Sequence, residues 1–132
     1  MAALDRPVVK PRPVYLNLFA IRLPLPGFVS ILHRASGALL FLIGIPLLLC
    51  VAQRAYGSAD GWAQIRGALA NPLVKLLAVV LAWTYLHHLL AGIRHLVMDL
   101  HIGVELPAAR QSAALVFVLA ILLTIVVAVR LW

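Results

Sequence analysis

The run PLVKLLAVVLAWTYLHHLLAGIRHLVMDL, residues 72–100, decides the fold. A helix needs about 20 residues to cross a ~30 Å hydrocarbon core, and this segment is long enough and apolar enough to do so. Asn71 suits the N-cap and Pro72 the first turn, where a missing N–H is harmless. Its second half is nevertheless crowded with ionisable groups: His87, His88, Arg94, His95 and Asp99. Such groups are expensive in lipid and survive there mainly when they face a partner, a cofactor or water. The segment therefore reads as a membrane helix carrying a buried site.

Two further runs match it. One extends from about Phe28 to Arg54, the other from about Ser112 to the C-terminus. With 64% hydrophobic residues and a mean hydropathy of +1.06, the composition is that of a membrane protein, since soluble domains are nearer half apolar. The expected fold is all-α: residues 1–132 form a single membrane-anchor domain with spans near 28–54, 72–100 and 112–132. Pro46 should bend the first span. Gly37 and Gly44, seven apart on one face, invite a close helix neighbour. A short helix is expected along the interface up to Ala70. The second loop should run from His101 to Arg110 with Pro107 inside it. Trp62 and Trp132 suit interfacial belts.

Cys50 is the lone cysteine, which excludes an intrachain disulfide and reads as a small buried hydrophobe. The proline-rich start, with Pro7, Pro11, Pro13, Pro24 and Pro26, is unlike a signal peptide, so the first span should be retained. The net charge of +7 is scattered around the apolar segments, which fits membrane flanks and argues against a nucleic-acid partner. Arg6, Lys10, Arg12, Arg22, Arg34, Arg94 and Arg110 fall on one side. Arg54, Arg66, Lys75 and Arg130 fall on the other. The positive-inside rule then places the N-terminus in the cytoplasm.

On a 3.6-residue helix, His88, Gly92, His95 and Asp99 share one stripe, and His87, Ala91, Arg94 and Met98 the adjacent one. A histidine followed one turn later by glycine suggests haem: the imidazole offers a nitrogen to iron, and the bare glycine admits the flat macrocycle. The plainer alternative is a histidine that hydrogen-bonds a neighbouring helix, and for a lone intramembrane histidine it would prevail. With Gly92, His95 and Asp99 beside it, haem moves ahead. Depth bears on a second ligand. His88 lies about 18 Å from Leu100, whereas His33 lies only about 8 Å into the first span, at 1.5 Å per residue. A bis-histidine haem at His88 thus needs a histidine from another subunit, unless the iron is five-coordinate or takes another ligand type. His33 and His95 share a depth, where they could hold haem propionates or flank a different site.

Ser30 and Arg34 are four apart at the start of the first span and share a face. Together they can donate hydrogen bonds to a quinone carbonyl entering from the bilayer. On spacing alone, Arg34 snorkelling to lipid phosphates, with Ser30 near the helix start, is the simpler account.

In combination, several pieces resemble the cytochrome b membrane-anchor subunits of succinate dehydrogenase (respiratory complex II), particularly the proteobacterial type. They are Arg6-Pro7 or Arg12-Pro13, Ile21-Arg22-Leu23-Pro24, Ser30-Ile31-Leu32-His33-Arg34-Ala35-Ser36-Gly37, His88 four before Gly92-Ile93-Arg94-His95, and Met98-Asp99. The resemblance covers almost the whole chain. It implies a three-span subunit of succinate:quinone oxidoreductase in a bacterial inner membrane. His88 would be an axial ligand of haem b, and a second, smaller hydrophobic anchor subunit would supply the other. His33 would lie near a propionate, with His95 in the haem's vicinity. Ser30 and Arg34 would line the ubiquinone site where the iron–sulfur subunit docks, with the flavoprotein subunit beyond it. The spacing to Gly92 selects His88 rather than His87 as the ligand. Rival readings are a haem-bearing anchor of another membrane dehydrogenase or fumarate reductase, and a haem-free assembly or proton-relay subunit. The chain lacks the cysteine sets of iron–sulfur clusters, so succinate chemistry would belong to its partners.

Overall fold

A computed structural model describes residues 22–132. The Arg6-Pro7 and Arg12-Pro13 pairs, Pro11, Lys10 and Ile21 lie outside the described residues. The described chain is helical: α1 (Leu25–Leu39), a π-turn (Leu40–Gly44), α2 (Ile45–Gly57), α3 (Gly61–Leu69), α4 (Pro72–Asp99) and α5 (Leu106–Leu131). α1, the π-turn and α2 run on as one helix of 33 residues. With α4 and α5 it makes three helices long and apolar enough to cross a membrane.

Local chemistry explains the boundaries. Pro26 occupies the first turn of α1, so this helix begins three residues earlier than expected from the apolar run. Pro46 cannot donate to the carbonyl of Leu42 and its ring crowds that carbonyl. The chain responds by widening the preceding turn, and the Ile45 N–H bonds back to the Leu40 carbonyl, five residues away. Asn71 caps α4, its side chain accepting from the Leu73 N–H at 2.9 Å. His101 and Gly103 both adopt positive φ (61° and 70°), which stops α4 and turns the chain into α5. Pro107 sits in the first turn of α5, so this helix starts at Leu106 rather than near Ser112. A proline at a helix start and a proline in a loop look alike in sequence.

α3 is the short helix expected before Ala70, and it folds back on the end of α2. Gly61 lies so close to the Arg54 carbonyl that any β-carbon would collide with it, and Arg54 Nη1 donates to Gln64 Oε1 at 3.3 Å. Trp62 and Trp132 are both exposed, and the Lys75 ammonium lies 5.1 Å from the Trp132 ring.

α4 is central, packing on α5 along one side and on α1 along the other. Its buried residues, Thr84, His87, Ala91 and Arg94, meet the stripe Ala109, Ala113, Val116, Ala120 and Thr124 of α5. The small side chains on α5 let the two backbones approach. α2 contributes only Ala55 to the buried set, and Cys50 is exposed on its outer side rather than buried as expected. With few neighbours in this chain, most of α2 faces outward.

Candidate functional site

The His88 stripe of α4 faces α1, and three histidines meet there. The His33 and His88 rings stack with centroids 4.2 Å apart and planes within 6°. His95 tilts against His33 at 5.1 Å. The expected difference in depth between His33 and His88 is therefore wrong. His33 is eight residues into α1, about 12 Å, and His88 is eleven from the end of α4, about 16 Å. Side-chain reach closes the remaining offset.

His88 is held by α1 in a defined tautomer. Its Nδ1 lies 3.1 Å from the His33 carbonyl oxygen. A carbonyl only accepts, so Nδ1 carries a proton, and in the neutral ring Nε2 is the nitrogen with the lone pair. The Ser36 hydroxyl donates to the same carbonyl at 3.0 Å and lies 3.2 Å from Nδ1. Gly37 lets the ring approach: a β-carbon there would fall 2.8 Å from His88 Cε1. The close neighbour invited by Gly37 is thus the imidazole itself. At Gly92 a β-carbon would lie 3.3 Å from His33 Nε2. The bare position admits the His33 ring.

Beyond His88 the wall between α1, α2 and α4 opens into an apolar groove of about 600 Å³. Gly37, Phe41, Gly44, Leu48, Tyr85 and His88 are among its lining residues, and the π-turn forms part of its side. π-turns often occur where a helix must widen around a functional position. Nε2 of His88 has no hydrogen-bond partner among the described residues, and it is not sealed from the surface. Among the described residues, His88 is the one basic side chain that lines this apolar space.

His87 has the opposite fate. It has no exposed surface, lies between Trp83 (5.3 Å) and Phe117 (5.5 Å), and neither ring nitrogen has a partner among the described residues. Arg94, on the same face, is buried yet engaged. Its Nε donates to Ser112 Oγ at 2.9 Å, and its Nη2 donates to the Ala109 carbonyl at 3.1 Å. It ties α4 to the first turns of α5. Sequence reading assigned Arg94 no such role; a cation within a span, one heptad from His87 on the same face, was the available signal.

Ser30 and Arg34 lie one turn apart across the middle of α1, Ser30 half-buried and Arg34 exposed. No hydrogen bond ties either side chain to another described residue. Asp99 is exposed at the end of α4.

Three apolar helices around a histidine-bearing seam define a small integral membrane protein with a site inside its spans. The chain belongs to the family described as succinate dehydrogenase/fumarate reductase transmembrane subunit, whose model matches residues 9–127. It is similar to the succinate dehydrogenase cytochrome b556 subunit of Coxiella burnetii, with 38% identity over 92% of this chain and 97% of the relative. The cytochrome b556 subunit of Paracoccus denitrificans is 32% identical over 77% of this chain and 78% of its own length. That of Rickettsia prowazekii is 27% identical over 94% and 96%.

Proposed function

We propose that this chain is one of two hydrophobic anchors of a succinate:quinone oxidoreductase, holding haem b through His88 Nε2 and contributing Ser30 and Arg34 to the ubiquinone site. The observation that carries the reading is the committed Nδ1 of His88. A histidine whose Nδ1–H is spent on a carbonyl has, in its neutral form, Nε2 as the nitrogen able to bind iron. The residues present fit the group: an apolar groove lined in part by His88, with no charged side chain among the residues named on its walls. When bound, haem b supplies a one-electron carrier beside the quinone site.

The stacked geometry also supports a ligand from a second subunit. A second histidine ligand would need room for the iron between its ring and that of His88. The His33 and His88 rings stacked at 4.2 Å leave no such room, which favours a ligand from outside this chain over His33. His33 and His95 adjoin His88 and fit the vicinity of the propionates. The names of the relatives support the assembly with flavoprotein and iron–sulfur subunits, in which the succinate chemistry resides. Lys/Arg asymmetry supports an N-terminus on the cytoplasmic side of a bacterial inner membrane, where those subunits would dock. Arg34 offers a planar, permanently charged donor to a quinone carbonyl, and Ser30 a neutral one. The whole chain, 1–132, then serves as one anchor domain.

The test is co-expression with the flavoprotein, iron–sulfur and smaller anchor subunits, followed by a reduced-minus-oxidised spectrum. Sharp low-spin b-type bands are expected from the complex, but not from this chain expressed alone. A complex without haem, or a bis-histidine spectrum from the chain alone, overturns the reading.

A further inference from the structure

The α1 helix does more for His88 than lie beside it. His33, Ser36 and Gly37 are spaced three and four apart, so their backbone or side-chain groups converge on one face. Two of them act on Nδ1 and the third on the neighbouring Cε1. The His33 carbonyl takes the Nδ1 proton at 3.1 Å. The single hydroxyl hydrogen of the buried Ser36 is spent on that carbonyl at 3.0 Å, so its oxygen faces Nδ1 at 3.2 Å as a second acceptor. Gly37 leaves the space in which Cε1 sits. We infer that Ser36 and Gly37 are positioning residues, which fix one tautomer and orientation of His88 and raise the electron-donating strength of its Nε2. The inference rests on the reading of His88 as an iron ligand.

The physical reason is that an N–H shared between two acceptors is polarised, and density moves across the ring to the opposite nitrogen. Hydrogen-bonding partners of this kind orient metal-bound histidines and raise their basicity, and their loss costs about 10–100-fold in metal affinity. A more basic ligand favours ferric over ferrous iron and so lowers the reduction potential. Ser36 modulates this effect while the carbonyl keeps the tautomer. Gly37 controls whether either contact can form, because a methyl group there displaces the ring from α1.

The experiment uses the assembled complex with Ser36→Ala, Ser36→Thr and Gly37→Ala, and reads haem content, the low-spin electron-paramagnetic signal and the midpoint potential. Ser36→Ala is expected to keep haem and move the midpoint positive by up to about 59 mV, the equivalent of a tenfold loss of preference for ferric iron. Ser36→Thr should restore it. Gly37→Ala should change the low-spin signal and lose haem roughly tenfold or more readily on dilution. An unchanged midpoint in Ser36→Ala, a shift that Ser36→Thr does not restore, or failure of Ser36→Ala to assemble overturns the inference. Should Gly37→Ala not assemble, the Ser36 pair alone decides. His88→Leu separates the two levels: haem retained there refutes the ligand reading itself, whereas haem lost there with Ser36 variants unchanged refutes only the positioning role.

Discussion

His87 and His88 are neighbours of the same chemical kind, yet α4 gives them opposite environments. His88 faces α1, where one nitrogen is committed to a carbonyl and the side chain lines an apolar groove. His87 faces α5, where both nitrogens are sealed between aromatic rings without partners among the described residues. About 100° of helix rotation separates a candidate ligand from a packing residue. Residue type alone therefore says little about function inside a membrane. What counts is the company of each face: backbone and hydroxyl acceptors on one side, a small-residue seam on the other.

Exchange of the two histidines breaks the comparison most directly. His88→Leu is expected to abolish the b-type spectrum of the co-expressed complex, because leucine cannot coordinate iron. His87→Leu should leave six-coordinate haem largely intact. The reverse outcome in difference spectra would interchange the two faces.

Variants on α1, which the ligand face of α4 meets, come next in size. Ser30→Ala and Arg34→Leu are expected to slow succinate-driven quinone reduction roughly ten- to hundredfold while a soluble artificial acceptor is still reduced. A hydrogen bond to a charged group contributes about 1.5–3 kcal/mol, and each 1.36 kcal/mol is about tenfold in rate. Haem content measured alongside separates loss of quinone contact from loss of haem. Normal quinone reduction in both assembled variants would remove these residues from the site.

How much of this arrangement could be read from the sequence depends on the kind of interaction. The apolar lengths, the Asn71 cap and the division of α4 into two histidine stripes follow from local periodicity, and the all-α, three-span fold with them. The stacking of His33 on His88 does not, because depth was counted from helix ends that Pro26 and the turn at His101 and Gly103 displace. The use of Gly92 to admit His33, and the outward position of Cys50, depend on which helix lies alongside. The commitment of His88 Nδ1 to the His33 carbonyl is a contact across 55 positions, and no spacing rule reports it.

The packing face should respond in stability and not in spectrum. Arg94→Leu removes two interhelical hydrogen bonds, worth on the order of 1–2 kcal/mol in a bilayer. A lower midpoint of thermal unfolding in detergent, with unchanged haem bands, is the expected result. Altered bands would show that the α5 side reaches the ligand side. The smallest effect is expected from His87→Phe. Replacing a sealed, partnerless imidazole by a ring of similar shape should stabilise the assembled protein by about 1 kcal/mol, read as a raised unfolding midpoint. A loss of stability would mean that the His87 nitrogens find a partner in the complex.

The π-turn at Leu40–Gly44 gives the first span slack in residue count at one place only. It fits one residue more into a turn than an α-turn does, so the side chains after it keep the faces that an α-helix one residue shorter would give them. Losing one residue there together with Pro46→Ala, which restores the missing donor, would let an ordinary turn re-form with Leu47, Leu48 and Val51 still on the wall they share with α4. A residue lost from α2 beyond the turn has no such slack and would swing each later side chain by about 100°. In this part of the chain the place of a lost codon matters more than the loss itself.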